Sequence, residues 1–275
     1  MEENLFKVIS NQAIARGVNK IEVFAPQIAR KALTGQFVML RVDEKGERIP
    51  LTVADKSKEE GNITIIFQQV GLTTKKLAQL KKGDNISDLA GPLGRPTEIK
   101  KYGTIVLVGG GVGIAEMYPV ARAFREADNK IISILGARSK DLLILENELK
   151  VISKEMYITT DDGSYGRKGL VTDVLKEIIE KEKPSLVYAI GPIIMMKAVS
   201  ELTRPYKIHT IVSLNSIMVD GTGMCGSCRV RVDEKTKFAC VDGPEFDGHL
   251  VDFDELSKRL KLFIDLERIS NEKRL

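Results

Sequence analysis

Apolar positions along this chain change rhythm near residue 104. Before it, short runs rich in β-branched and aromatic residues dominate: Ile21-Glu22-Val23-Phe24, Gln36-Phe37-Val38-Met39-Leu40-Arg41-Val42 and Asn62-Ile63-Thr64-Ile65-Ile66-Phe67. Turn residues at Lys45-Gly46, Glu60-Gly61-Asn62 and Lys82-Gly83-Asp84 punctuate them, so the pattern from Leu5 to about Thr97 predicts strands at hairpin spacing. Strands so spaced close into a small antiparallel barrel. One helical stretch, near Thr74 to Leu80, interrupts it.

From Thr104 the runs become continuous. Thr104-Ile105-Val106-Leu107-Val108 is apolar throughout, as a strand buried on both faces must be. Further strands are predicted from Ile131, at Glu155–Thr159 and at Leu186–Ile190, with helices at Ile114–Ala127, Leu170–Glu182 and near Pro192–Leu202. That alternation predicts a doubly wound parallel sheet. A glycine- and cysteine-rich loop follows Ser213, then an amphipathic helix over about Asp254–Ile269. Its stripe of Phe253, Leu256, Leu260, Phe263 and Ile264 is the ordinary core-facing pattern, although it could face a partner.

Composition narrows the class. The 275 residues exceed a typical single core, and 43% hydrophobic with 29% charged residues describe an ordinary globular chain. No run approaches the roughly 20 apolar residues of a spanning helix. Met1-Glu2-Glu3-Asn4 carries acids where a signal peptide needs bases, so neither secretion nor membrane insertion is expected. Forty-two basic and 38 acidic residues interleave to a net +4, which gives no footprint for nucleic acid. The three cysteines all fall between Cys225 and Cys240, an odd number crowded into one segment. They read as metal ligands in a reducing cytoplasm rather than as a disulfide framework. His209 and His249 have no nucleophile or ligand partner nearby in sequence.

The cysteine loop carries the most specific signal. Asp220-Gly221-Thr222-Gly223-Met224-Cys225-Gly226-Ser227-Cys228 is followed by Cys240, the offsets of a plant-type [2Fe–2S] site with Asp220 where its first cysteine stands. Two irons need four protein ligands, and a carboxylate can complete three thiolates. Gly221, Gly223 and Gly226 suit a loop that wraps a cluster closely. A Cys3Asp zinc site would use the same four residues.

A second signal is Gly109-Gly110-Gly111-Val112-Gly113, between a buried strand and a helix. Such glycines let the backbone approach a pyrophosphate at a helix N-terminus. The strict G-x-G-x-x-G is not met, because Ala115-Glu116 follows, and a turn that merely lets strand and helix pack remains open. Asp161-Asp162 and Gly191-Pro192 follow later strands, at the ends where open parallel sheets bind ligands. Arg138 and Lys140 could hold a 2′-phosphate and Asp141 a ribose, so NAD and NADP are both open. In the barrel, Arg48 with Pro50-Leu51-Thr52, Gly71 with Thr73-Thr74, and Gly91 with Gly94 are candidate flavin contacts. Thr74 is expected at a short helix N-terminus suited to phosphate.

Taken together, these motifs resemble the ferredoxin–NADP reductase superfamily. Within it, the cluster loop is similar to that of class B dihydroorotate dehydrogenase electron-transfer subunits. The run Glu47-Arg48-Ile49-Pro50-Leu51-Thr52 and the loop ending Cys240-Val241-Asp242-Gly243-Pro244-Glu245-Phe246-Asp247-Gly248-His249 resemble most closely the small subunits of NADH-dependent reduced ferredoxin:NADP oxidoreductases, the flavin-based bifurcating transhydrogenases. The resemblance spans nearly the whole chain. It implies a β + α/β fold: an FAD-binding antiparallel β-barrel over 1–98, a nucleotide-binding doubly wound domain for NAD(H) over 99–212, and over 213–275 a segment holding a [2Fe–2S] cluster by Asp220, Cys225, Cys228 and Cys240. It also implies hydride exchange between NAD(H) and FAD. Single electrons would pass to a larger subunit with its own FAD, [4Fe–4S] clusters and NADP(H) site, which meets ferredoxin. Two positions depart from the superfamily: Arg48 stands one residue early in the R-x-Y-S/T-like element, and Ile190 replaces the usual cysteine before Gly191-Pro192.

Overall fold

The computed structural model describes residues 6–272; residues 1–5 and 273–275 of the expected domains lie outside that range. The barrel strands are β1 (Val8–Ala15), β2 (Val18–Phe24), β3 (Phe37–Arg41), β4 (Arg48–Thr52), β5 (Asp55–Ser57), β6 (Asn62–Gln68) and β7 (Asp88–Leu93). They pair in two antiparallel sheets, β1-β2-β6-β5 and β4-β3-β7. Alternation decides which side chains face inward: Ile21 and Val23 are buried while Glu22 between them is not. Both sheets contribute to one core, with Val8, Ile21, Ile63, Ile65 and Phe67 from the first and Val38, Leu40 and Leu89 from the second. Two helices lie in this part, α1 (Pro26–Lys31), which the strand pattern did not predict, and α2 (Leu72–Gln79).

The second part contains β8 (Thr104–Gly110), α3 (Gly113–Glu126), β9 (Lys130–Ala137), α4 (Glu146–Ile152), β10 (Glu155–Thr160), β11 (Arg167–Lys168), α5 (Val171–Glu182), β12 (Leu186–Ile190), α6 (Ile193–Thr203) and β13 (His209–Ser213). With β16 (Glu245–Asp247) from the last part, the sheet order is β11-β10-β9-β8-β12-β13-β16, parallel except for that last strand. Strand order therefore reverses between β8 and β12, which opens a crevice at their carboxyl ends. Apolar residues of α3 (Ile114, Met117, Val120, Ala121, Phe124) cover one face. On the other lie α5 and α6, through residues such as Leu175, Ile179 and Val199.

The last part has β14 (Arg229–Val232), β15 (Lys235–Phe238), α7 (Ala239–Asp242), β16 (Glu245–Asp247), α8 (Phe253–Leu260) and α9 (Ile264–Glu272). It is not a separate body. β16 completes the large sheet against β13, and Cys228, Val230, Cys240, Phe253 and Leu256 share a core with α5, α6 and the barrel residues Phe37 and Met39. The single helix expected over Asp254–Ile269 is two helices. Asp252 caps the first by accepting from the Glu255 amide at 2.9 Å. Phe253, Leu256 and Leu260 anchor that helix, whereas Phe263 and Ile264, at 46% and 52% exposed, have no core beneath them and the stripe ends.

Candidate functional site

The glycines after β8 do two different jobs. A Cβ on Gly113 would stand 2.7 Å from the Ile190 carbonyl oxygen, one on Gly191 2.9 Å from the Gly110 carbonyl, and one on Gly110 2.9 Å from Pro192 Cδ. The ends of β8 and β12 thus meet backbone to backbone at Gly113 and Gly191, while the Met195 and Pro192 side chains leave no room for one at Gly110. Gly111 differs: its φ is +56° and nothing lies within 4 Å of its Cβ direction. It is the glycine of this loop that leaves room for a ligand, beside Val112 and the first turn of α3.

At the ends of β9 and β10, Arg138, Asp161 and Asp162 are exposed side by side, with the Asp162 amide donating to the Arg138 carbonyl at 3.2 Å. Ser139, Lys140, Asp141, Asp162 and Ser164 line an open hollow of about 470 Å³ there. Asp141, the ribose candidate, pairs with Arg16 from the β1–β2 turn at 2.8 Å. Hydrogen bonds from Ser164 hold the Asp162 carboxyl below the usual carboxylate range. A further hollow of about 380 Å³, between β1–β2–β6 and the α3–α4 region, lies away from both motif loops.

In the barrel, the flavin candidates gather on the small sheet. Pro50, Leu51 and Thr52 pair with Met39, Val38 and Phe37 of β3, whose other edge is β7 with Gly91; Gly94 follows. Side chains explain the last two glycines: a Cβ on Gly91 would meet Val38 Cγ1 at 2.7 Å, and one on Gly94 would meet Phe37 Cε1 at 2.8 Å. Gly71 leaves open space before α2. Thr73 and Thr74 are buried, and the Thr74 hydroxyl is spent on its own helix, accepting from the Gly71 amide at 3.0 Å and reaching the Gly71 carbonyl at 3.0 Å. Arg48, expected near a flavin phosphate, has another partner. Its guanidinium pairs with Asp88 at 2.9 Å, because the pairing of Arg48 with Arg41 puts both beside the start of β7.

Sequence reasoning missed one residue that joins these regions. Glu116, in the first turn of α3, lies near the Thr52 side chain, and burial pushes its carboxyl up to about 7. The one signal in the sequence was an acid where the glycine fingerprint wants a small residue. Nearby, half-buried Glu245 accepts from Thr97 at 2.6 Å and from the Tyr188 hydroxyl at 2.8 Å, tying Thr97 to β12 and β16.

The cysteine loop lies against the same small sheet. Gly221 has φ +79°, and a Cβ there would stand 2.6 Å from Met39 Cγ and 2.8 Å from Leu93 Cδ1. Asp220 accepts from the Thr222 amide at 2.7 Å and the Cys225 amide at 3.1 Å, which holds its carboxyl below the usual range. Cys225 is exposed, with its thiol lowered by hydrogen bonds from Ser227. Cys228 and Cys240 are buried with sulfurs 3.1 Å apart. Burial, then Cys228, pushes the Cys240 thiol up to about 12. Two buried thiols this close cannot both ionise without a cation, and a metal that replaces their protons removes the conflict. Among the described residues, no three His, Cys, Asp or Glu side chains converge as a single ion requires. The four candidates form two adjoining pairs, Asp220 with Cys225 and Cys228 with Cys240.

Comparison with known proteins places this geometry. Residues 215–252 match the model of the iron–sulfur cluster binding domain of dihydroorotate dehydrogenase B, and residues 107–201 that of the oxidoreductase NAD-binding domain. A Thermotoga maritima protein named as a dihydroorotate dehydrogenase B (NAD(+)) electron transfer subunit homolog is 50% identical, over 98% of this chain and 95% of its own. The electron transfer subunit named for dihydroorotate dehydrogenase B (NAD(+)) in Fusobacterium nucleatum is 35% identical over 87% of this chain and 94% of its own. A chain from the NADH-dependent reduced ferredoxin–NADP oxidoreductase, solved in work on flavin-based electron bifurcation, superposes with a TM-score of 0.93. It is 48% identical and covers 98% of this chain and 97% of itself.

Proposed function

Because this chain belongs to the family of dihydroorotate dehydrogenase B electron transfer subunits and their homologues, we propose that it is a flavin and iron–sulfur subunit linking NAD(H) to a larger partner. The full-length likeness to a chain of a bifurcating reductase favours a partner that couples NADH, NADPH and ferredoxin over one that oxidises dihydroorotate. The observation that carries the reading is spatial: Gly221 seats the cysteine loop on β3 and β7 of the same small sheet whose β4 carries the flavin candidates Pro50, Leu51 and Thr52.

FAD would be held along Pro50, Leu51 and Thr52, with Gly71, Thr73 and Thr74 at the start of α2 and Gly91 and Gly94 shaping the sheet. NAD(H) would lie across Gly110, Gly111, Val112 and Gly113, with Gly191-Pro192 walling the crevice and Arg138, Asp161 and Asp162 at the adenosine end. The cluster would take Asp220, Cys225, Cys228 and Cys240. When bound, the flavin supplies two-electron hydride exchange with nicotinamide and one-electron exchange with the cluster. The chain's own part is placement. Gly111 admits the pyrophosphate to the α3 amides, and the β8–β12 backbone contact fixes the crevice wall. The Ser227 amide donates to Cys225 Sγ at 3.5 Å, stabilising negative charge on sulfur.

An absorption spectrum of the anaerobically purified protein, followed by NADH addition, tests this reading: flavin bands with a broad cluster shoulder should both bleach. Stoichiometric zinc without inorganic sulfide would overturn it. Asp220→Cys should retain a cluster but move its midpoint potential by on the order of 100 mV, the scale of ligand exchange in two-iron centres. An unmoved potential would remove Asp220 from the ligand set.

A further inference from the structure

Several arginines of this chain take a carboxylate partner: Arg122 holds Asp55 at 2.8 Å, Arg167 holds Glu177 at 2.7 Å and Arg231 lies 3.6 Å from Glu255. Two arginines beside the cysteine loop do otherwise. Arg229, which opens β14, donates from Nη1 to the Gly226 carbonyl at 3.1 Å, and Arg259 of α8 donates from Nη2 to the Ser227 carbonyl at 3.0 Å. Among the described residues, neither guanidinium forms an ion pair. Arg259 reaches across 32 positions of sequence, and the helix beneath it fixes its place. Leu256, three residues earlier and so on the same face, is 2% exposed, and Asp252 caps the first turn. On the other side of the loop, Arg95 donates to the Val241 carbonyl, next to Cys240, at 3.1 Å, but Asp242 at 3.8 Å offsets its charge.

A trans peptide is planar, with its carbonyl and its N–H on opposite edges. A cation held on the carbonyl edge therefore turns the N–H edge away from itself. For the peptide between Gly226 and Ser227 the result is visible: Arg229 sits on the carbonyl, and the Ser227 N–H donates to Cys225 Sγ at 3.5 Å. The next peptide, between Ser227 and Cys228, has Arg259 on its carbonyl. We infer that Arg229 and Arg259 are positioning residues for the cluster, aiming two consecutive peptides of the Cys225–Cys228 loop so that their N–H edges face sulfur. The inference rests on the reading that Cys225 and Cys228 hold a [2Fe–2S] cluster. A carbonyl that is already hydrogen-bonded makes its own N–H a stronger donor, so the positive charge is felt at sulfur through the peptide. Reduction of such a cluster adds one negative charge, and both N–H donors and nearby cations favour that state. The two arginines thus raise the reduction potential of the site.

A redox titration of the cluster in the full chain reads this directly. At the wild-type midpoint, Arg259→Gln should lower the reduced-to-oxidised ratio about tenfold, a downward shift of about 59 mV for a one-electron couple. Arg229→Gln should act in the same direction but less, because Arg229 is exposed and its charge is better screened. Arg259→Lys keeps a cationic donor and should retain most of the wild-type potential. Lys261→Gln removes an equal charge from the exposed end of the same helix and should move the potential far less. An unmoved potential in Arg259→Gln, or a fall as large in Lys261→Gln, overturns the proposal. If Arg259→Gln loses iron and sulfide while Arg259→Lys keeps both, the positioning role stands; loss in both overturns it. In the cluster-free chain, the Ser227 and Cys228 amides should exchange with solvent several-fold faster in Arg229→Gln and Arg259→Gln, and unchanged exchange in both overturns the aiming of the peptides. A wild-type chain that takes up no iron and sulfide would instead overturn the functional reading, while the exchange measurement still reports on the two arginines.

Discussion

The glycine loop after β8 and the cysteine loop after β13 look alike in sequence, yet they are built in opposite ways. In the first, buried parallel strands bring two backbones together, and Gly110, Gly113 and Gly191 are needed because no side chain fits between them. Its shape is set by the sheet before any ligand arrives. The second is a partly exposed loop whose turns depend on Asp220 accepting local amides, and its buried Cys228 thiol stands 3.1 Å from that of Cys240 in α7. The nucleotide crevice is thus a product of packing, whereas the cysteine loop is shaped by local hydrogen bonds around its candidate ligands.

That contrast can be broken at either loop. The largest effect is expected from Cys228→Ala, which should abolish iron and sulfide content and lower the melting temperature of the isolated protein to that of the metal-free form. Retention of a full cluster would show that Cys228 is a core residue only. Next, Gly113→Ala should cost about 1–3 kcal/mol of stability by overpacking against Ile190. Gly111→Ala should cost about 1–2 kcal/mol through its left-handed backbone alone, but weaken NADH binding as much or more. Equal effects on binding and folding at both positions, measured by denaturant unfolding and nucleotide titration, would erase the distinction drawn between them.

Glu116→Gln probes the shielded acid at the start of α3. Burial raises this carboxyl in the fold from its ordinary 4.5 to about 7, so the folded state favours the protonated form. Its stabilising share is complete below 4.5 and is lost as pH rises through 7. The substituted chain should therefore overtake wild type above pH 7 by ~1–3 kcal/mol, with no such divergence at pH 4. The smallest effect is expected from Arg48→Ala. The Arg48–Asp88 pair is half-exposed, so its loss should change stability by less than about 1 kcal/mol. Flavin content should be unaltered, and a marked loss of flavin would return Arg48 to the binding site.

Much of the site was legible in sequence because its chemistry is local. Cysteine spacing, the glycine run between an apolar strand and a helix, and the order of barrel before α/β domain all survive without coordinates. What the pattern could not supply came from distant neighbours. Arg48 was drawn to Asp88, forty positions away, by strand pairing, and Asp141 to Arg16 by the approach of the β1–β2 turn to β9. The continuous helix predicted at the carboxyl end breaks because core contact stops at Leu260, which periodicity alone does not reveal.

Sequence by itself determined the class of each segment and marked the cysteine loop as an iron–sulfur binding segment, since strand alternation, helical periodicity and cysteine spacing are written in neighbouring residues. Only the tertiary structure decided that the cysteine loop packs on the small barrel sheet, which glycines are forced by contact and which face open space, and that an acid on α3 is shielded from water. Those outcomes depend on which surfaces become buried together, and burial is what turns an ordinary carboxyl or thiol into a group with unusual proton affinity.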